Sequence, residues 1–162
     1  MELFVFDDTL ITGHQEIDSQ HAWLFELANR VLEKIGSCPL STRTSDFPIP
    51  GSCEERANDT VDEALHGLMD YVVEHFTDEE RLMADLNYPS RSVHQALHAA
   101  LSEQVAGYML RYMNGDNTIA EEIVEFFGRW LTSHIMDADR DFVDWLNTRR
   151  SDPTSSARGS AE

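Results

Sequence analysis

The segment LMDYVVEHFTDEERLMADL, residues 68–86, combines a helical repeat with two polar residues that interrupt it. Apolar residues recur at steps of three and four, the spacing of one face of an α-helix. His75 and Glu79 occupy two positions of that same series. Because residues i and i+4 lie on one helix face, the pattern predicts that an imidazole and a carboxylate point from this helix into the core.

Three further segments carry the same period, so helices are predicted over residues 18–35, 58–86, 91–113 and 118–148. Candidate start signals are an N-cap at Asp18 and possible capping boxes at Thr60/Glu63 and Thr118/Glu121. Leu97 is among the residues predicted to face the core from the third helix. Four amphipathic helices joined mostly by short turns predict an all-α, antiparallel up-down-up-down four-helix bundle.

The remaining segments are predicted to lie outside the bundle. Residues 1–17 form an N-terminal arm, with Phe4, Phe6 and Ile11 as its apolar anchors. Residues 36–57 are rich in proline and form a long loop. Residues 149–162 are a flexible polar tail or linker, which leaves residues 1–148 as the single domain.

Both cysteines, Cys38 and Cys53, fall in the 36–57 loop. A disulfide between them would close a loop of about 15 residues, but two free thiols are favoured in a reducing cytosol. No chemistry is assigned to them, because a cysteine metal site would need more thiols at closer spacing.

The charge of the chain excludes several partners. It has 30 acidic and 12 basic residues and a net charge of -18. Nucleic acids and anionic membranes both require a basic surface. No apolar run approaches the roughly 20 residues of a membrane helix, and MELFVFDDTL lacks the positive start of a signal peptide. We therefore expect a cytoplasmic protein.

Seven side chains of the types that ligate metals lie on the apolar faces of the predicted helices. They are His21, His75, Glu79, His94, His98, His134 and Asp139. A buried polar group without a partner costs about 1–3 kcal/mol, so seven together would match a whole domain's stability of about 5–15 kcal/mol. A shared metal site removes that cost. His14 and His66 fall off these faces and are expected to be exposed.

The number of candidate ligands favours two metal ions. Seven protein ligands are too many for one ion, but they suit two ions of five to six coordination that share carboxylates. Imidazole and carboxylate are compatible with iron, zinc, manganese or copper, although zinc prefers four ligands. The set contains fewer carboxylates than the ferritin-like di-iron proteins.

The runs IDSQHAWLFELAN, YVVEHFTDEERLM, YPSRSVHQALH and WLTSHIMDAD resemble the signature segments of the hemerythrins, specifically the bacterial ones. The resemblance covers residues 6–147. It rests on one histidine, then HxxxE, HxxxH and HxxxxD, in this order on four helices. Phe6 departs from the tryptophan that many relatives carry in the arm, and the 36–57 loop is longer than usual.

The resemblance implies two iron ions joined by an oxo or hydroxo bridge. His94, His98 and His134 would bind the coordinatively filled iron, and His21 and His75 the iron that keeps an open position. Glu79 and Asp139 would bridge the two ions. Oxygen would bind reversibly as peroxide at the open iron, in a pocket lined by Trp130, Leu131 and Ile135.

Three functions are compatible with this resemblance. The first is an oxygen-binding protein for carriage, storage or delivery, which is not an enzyme. The second is an oxygen-sensing or redox-sensing domain with a fused or partner signalling domain. The third is a di-iron oxidase or peroxidase, which the small number of carboxylates disfavours.

Overall fold

The computed structural model of the chain describes residues 3–36, 53–116 and 119–151, without the side chains of residues 53–60, 150 and 151. Helix α1 spans Gln15–Gly36, α2 Cys53–Asp85, α3 Arg91–Met113 and α4 Ile119–His134. A π-helical segment, Ile135–Asp139, continues α4 into α5, Arg140–Ser151. The described residues contain no strand, which confirms the all-α prediction.

The helices pack as a closed bundle. Helix α1 contacts α2 and α4, and α3 contacts the same two helices from the other side. Each helix therefore has two neighbours, and one core lies between the four. Short connections join α2 to α3 and α3 to α4, so each of these pairs runs in opposite directions. Gln20 near the start of α1 bonds to Asp78 near the end of α2, so α1 and α2 are antiparallel as well.

Two predicted helix starts are wrong. Helix α1 begins at Gln15, before Asp18. The Asp18 carboxylate instead accepts hydrogen bonds from the backbone and hydroxyl of Thr12, each 2.8 Å long, and thereby fastens the arm. Helix α2 begins at Cys53. Its polar first turns lack the apolar period but contain good helix formers, so the capping box at Thr60 lies inside the helix.

The remaining boundaries differ little from the predictions or lie outside the described residues. Helix α3 begins and ends where predicted, and α5 extends to Ser151, beyond the predicted end at 148. The capping box at Thr118, the pairing of Cys38 and most of the 36–57 loop lie outside the residues that the structure describes.

The core is a continuous apolar cluster that receives side chains from every helix of the bundle. Its fully buried members include Leu24, Leu65, Leu68, Leu101, Ile119, Ile123 and Phe127. Leu97 does not join them, since 41% of it is exposed. The buried series on α3 runs through His94, His98, Leu101 and Val105, and this places Leu97 at the edge of the helix.

The N-terminal arm is held to α1 by both backbone and side-chain contacts. The backbone N–H of Phe4 donates to Oδ1 of Asn29, and Nδ2 of Asn29 donates to the Phe4 carbonyl, both at 2.8 Å. Phe4 and Phe6 pack against Phe25. The predicted anchor Ile11 is 46% exposed, and its neighbour Leu10 is buried instead.

Gly128 of α4 leaves the space in which the Phe4 ring of the arm packs. A Cβ atom added at this position would lie 2.7 Å from Cε2 of the Phe4 ring. That separation is shorter than van der Waals contact, so the ring occupies the space that any other residue would fill. The absent side chain therefore allows the arm to pack on the bundle.

We predict that Gly128→Ala destabilises the protein by about 1–3 kcal/mol, because the added methyl group displaces the Phe4 ring. Gly107→Ala is the matched control, since it also lies in a helix but has open space around its Cβ. The control should be neutral or stabilising by up to about 1 kcal/mol. Urea unfolding of both variants measures the difference.

Urea unfolding of Gly128→Ala in a Phe4→Ala background tests whether the Phe4 ring causes the destabilisation. Without the ring, Gly128→Ala should no longer destabilise the protein, because the two residues act on one contact. Equal destabilisation in both backgrounds would contradict the packing of Phe4 on Gly128.

Candidate metal centre

All seven predicted ligand residues lie in one part of the core, and each is at most 5% exposed. Helix α1 supplies His21, α2 supplies His75 and Glu79, and α3 supplies His94 and His98. His134 ends α4, and Asp139 lies in the π-helical segment. The structure therefore brings together every member of the set.

The π-helical segment explains the five-residue spacing between His134 and Asp139. In a regular α-helix of 3.6 residues per turn, residue i+5 would lie about 140° round the helix from residue i. The wider π turn instead places i+5 above i, and the Arg140 N–H accordingly bonds to the Ile135 carbonyl. Oδ1 of Asp139 consequently lies 3.0 Å from Nε2 of His134.

Three imidazoles converge on the first metal position. The Nε2 atoms of His94, His98 and His134 lie 3.0–3.2 Å from each other. Ligand atoms about 2.1 Å from one ion and at right angles would lie about 3 Å apart. Oε2 of Glu79 lies 3.2 Å from Nε2 of His94 and joins the same group.

The second metal position is formed by His21, His75 and Asp139. The two imidazole rings have their centroids 4.9 Å apart. Nε2 of His21 lies 3.1 Å from Oδ2 of Asp139, whereas Oδ1 of the same carboxylate faces His94 and His134 at 3.2 and 3.0 Å. Asp139 thus presents one oxygen to each group, as a bridging ligand does.

Buried atoms without hydrogen-bond partners show that the residues fit metal ions. Within the described chain they include both ring nitrogens of His21, Nε2 of His75, Oε1 of Glu79 and both oxygens of Asp139. Each such atom costs about 1–3 kcal/mol, and coordination to a metal would satisfy it. The donor set contains only nitrogen and oxygen, which suits iron, manganese or zinc.

The two candidate metal positions differ in the number of side chains that converge on them. Five side chains converge on the first position and three on the second, with Asp139 common to both. The protein therefore offers fewer donors to an ion at the second position. An ion at the second position would therefore need further ligands from outside the protein to reach the same coordination number.

Burial keeps two of the histidines neutral. Desolvation and the neighbouring His21 lower the pKa of His75 to about 3. Desolvation and the neighbouring His134 lower the pKa of His98 to about 2. Neutral imidazole is the form that binds metals, so both rings are ready to coordinate at neutral pH.

The pKa values of His94, Glu79 and Asp139 also differ from their ordinary values, because these carboxylates and this imidazole pack against each other in the core. Burial opposes protonation of His94, but the adjacent carboxylates of Asp139, at 3.2 Å, and Glu79 raise its pKa to about 9. Burial, followed by the charge of Asp139, raises the pKa of Glu79. Asp139 is also buried, but contacts with His134 and the other imidazoles hold its pKa well below the ordinary value.

Two polar residues outside the ligand set orient the imidazoles. Nδ1 of His75 lies 2.9 Å from Oε1 of Gln20, and Nδ1 of His98 lies 3.0 Å from Oε1 of Glu80. A donated Nδ1–H fixes the tautomer and leaves Nε2 free for a metal. Neither Gln20 nor Glu80 was predicted to contact the cluster, although each is the immediate neighbour of a ligand residue.

Aromatic rings cover the first metal position. Phe76 stacks on His98 with a centroid distance of 3.7 Å, and Trp130 stacks on His134 at 4.3 Å. Leu131 and Ile135, the other predicted pocket residues, are buried in the core. Phe76 was predicted only as a core residue, and its contact with a ligand histidine was missed.

The two remaining histidines of the chain lie outside the cluster. His66 is exposed, as expected, and its Nδ1 lies 2.8 Å from the Asp62 carbonyl. His14 is half-buried, and its Nδ1 accepts a hydrogen bond from the Ile17 backbone at the start of α1. Neither belongs to a group of candidate metal ligands.

A four-helix bundle that directs histidines and carboxylates from all its helices into one core is a recurring arrangement for metal sites. The family model of the hemerythrin HHE cation binding domain matches residues 12–146. The chain therefore belongs to the hemerythrin family.

Individual relatives carry the name bacteriohemerythrin. One from Stenotrophomonas maltophilia is 30% identical over 144 residues, which cover 89% of this chain and 82% of the relative. One from Pseudomonas aeruginosa is 28% identical over the same shares. One from Clostridium acetobutylicum is 24% identical over 88% of this chain and all of the relative. Every helix in the described part of the chain is too short or too polar to span a lipid bilayer.

We predict that the metal-free protein is most stable near pH 6.5. Below this pH the unfolded chain protonates His75 and His98, whose folded pKa values are about 3 and 2, so stability falls with falling pH. Above it the folded chain retains the proton on His94, with a pKa of about 9, whereas the unfolded chain loses it, so stability falls with rising pH.

Urea unfolding of chelator-treated protein between pH 5 and 9 checks this prediction. Each uncompensated proton changes the free energy of unfolding by about 1.4 kcal/mol per pH unit. A stability that rises steadily through pH 9 would contradict the protonation states assigned to the cluster.

Proposed function

We propose that this chain is an oxygen-binding protein with a di-iron centre, and that it carries, stores or delivers oxygen. The observation that supports two ions rather than one is the carboxylate of Asp139. Its two oxygens face two separate groups of imidazoles, at 3.0 Å from His134 and 3.1 Å from His21. Membership of the hemerythrin family favours iron as the metal.

The proposed ligands divide between the two positions. His94, His98 and His134 would hold one iron, and His21 and His75 the other. Glu79 and Asp139 would be shared. When bound, the pair of irons would give two electrons to oxygen on binding and take them back on its release. The smaller number of protein donors at the second position favours it as the place where oxygen binds.

The surrounding side chains favour binding over turnover. Leu131 and Ile135 are buried and apolar, and they flank His134 in sequence. Apolar walls exclude the water and protons that would otherwise consume a bound oxidant. Among the described residues, two carboxylates belong to the candidate metal groups, fewer than in the ferritin-like di-iron proteins. We therefore propose a binding protein and not an oxidase.

The visible absorption of the iron-loaded, anaerobically reduced protein tests this function. We expect a charge-transfer band on addition of oxygen and its loss when oxygen is withdrawn. His75→Ala should lower the iron content from about two ions to about one ion per chain and abolish the band, because the second position loses an essential donor. His66→Ala is the control and should behave as the wild type.

Two results would contradict the proposal. Irreversible conversion to an oxidised form, with no oxygen-dependent band, would favour a redox sensor or an oxidase. Full iron content and normal oxygen binding in His75→Ala would show that the ligand assignment is wrong.

We further predict that Leu131→Gln speeds the spontaneous decay of the oxygen-dependent band by roughly 10-fold, which corresponds to about 1.4 kcal/mol in the barrier. The polar amide of glutamine would let water and protons into the buried apolar region that Leu131 occupies. Leu110→Gln is the control, because Leu110 is 62% exposed. Stopped-flow absorption gives both rates, and equal decay in the two variants would exclude Leu131 from the oxygen pocket.

A further inference from the structure

A cavity of about 160 Å³ opens between the start of α1 and the end of α2. It lies at the end of the bundle where the arm enters α1. Its lining consists of His14, Glu16, Ile17, Gln20, Asp78, Glu79, Arg81, Leu82 and Asp85.

One lining residue belongs to the metal cluster. Glu79 is 1% exposed, and its Oε1 has no hydrogen-bond partner among the described residues. Two other cavities in the described part of the chain contain no cluster residue; one lies beside Tyr71 and the other beside Phe4. The cavity beside Tyr71 shares His14, Glu16 and Gln20 with the cavity at Glu79, but of these three cavities only the one at Glu79 is lined by a residue of the cluster.

Gln20 provides a second link between the cavity and the centre. Its side chain lines the cavity, accepts at Oε1 from Nδ1 of His75 at 2.9 Å, and donates from Nε2 to Oδ2 of Asp78 at 3.2 Å. The cavity thus reaches one ligand directly, through Glu79, and a second ligand through a single amide.

The charge of the lining favours a cation. Four carboxylates face one guanidinium, that of Arg81. Acidity alone is not distinctive in a chain with a net charge of -18. Here, however, the exposed carboxylates of Glu16, Asp78 and Asp85 lie at the mouth of a cavity whose buried member is a metal ligand.

We propose that this cavity is the entrance through which divalent metal ions reach the centre. The carboxylates at the mouth raise the local concentration of cations, and Glu79 offers the first buried oxygen on the way inward. Divalent iron and cobalt both accept carboxylate and imidazole ligands. The inference rests on the proposed function, since it requires that the cluster binds metal.

The rate of Co²⁺ uptake by the metal-free, full-length protein tests the entrance. Binding is followed by stopped-flow absorption, and the final content by elemental analysis. The test variant is Glu16→Gln/Asp85→Asn, which neutralises two exposed carboxylates that are not proposed ligands. Glu103→Gln/Glu122→Gln is the matched control, because it makes the same change of net charge on exposed positions of α3 and α4.

We expect the test variant to take up Co²⁺ about 3-fold or more slowly than the control, with the same final content of about two ions per chain. Raising the salt concentration should reduce the difference, because it screens exposed charges. Arg81→Gln should act in the opposite direction and speed uptake relative to Arg129→Gln, a change at an exposed arginine of α4.

Equal rates of Co²⁺ uptake in the test and control variants, with two ions bound in each, would contradict the proposed entrance. The proposed di-metal centre would be unaffected by that result. Failure of the unmodified protein to bind two ions would overturn the proposed function, and the entrance with it. The final metal content therefore separates the two failures.

Discussion

The carboxylate of Asp139 faces imidazoles from three helices, and the arrangement of the bundle depends on this contact. Its two oxygens lie 3.0–3.2 Å from nitrogens of His21, His94 and His134. Burial of such a carboxylate would be unfavourable without compensating partners. Each helix must therefore present its histidine at one depth and one rotation, which fixes how α1, α3 and α4 pack.

This constraint extends outward through the side chains that hold the ligands in place. Gln20 and Glu80 fix the orientation of His75 and His98, while Phe76 stacks on the second of these rings. Buried polar networks of this kind are stable only when every member is satisfied. The atoms that remain unsatisfied in the described chain, such as Oε1 of Glu79, indicate where metal ions would complete the network.

Helical periodicity was sufficient to predict the fold and six of the seven members of the cluster. His75 and Glu79 interrupt an apolar series at i and i+4, and His94 and His98 do the same. Asp139 was harder to place, because its spacing fits no regular α-helix. Only the π-helical segment shows how it reaches the face of His134.

Other features depend on tertiary contacts that periodicity does not encode. The start of α2 at Cys53 follows from helix-forming residues without an apolar face. Gln20 and Glu80 become recognisable only once the helices are packed, since each contacts a histidine distant in sequence. The cavity at Glu79 likewise arises from the junction of α1 and α2.

Anomalous diffraction at the iron absorption edge, from crystals of the iron-loaded protein, tests the di-metal centre most directly. We expect two peaks inside the bundle, one among His94, His98 and His134 and the other beside His21 and His75. Asp139 should contact both peaks. A single peak, or two peaks that do not share Asp139, would contradict the account.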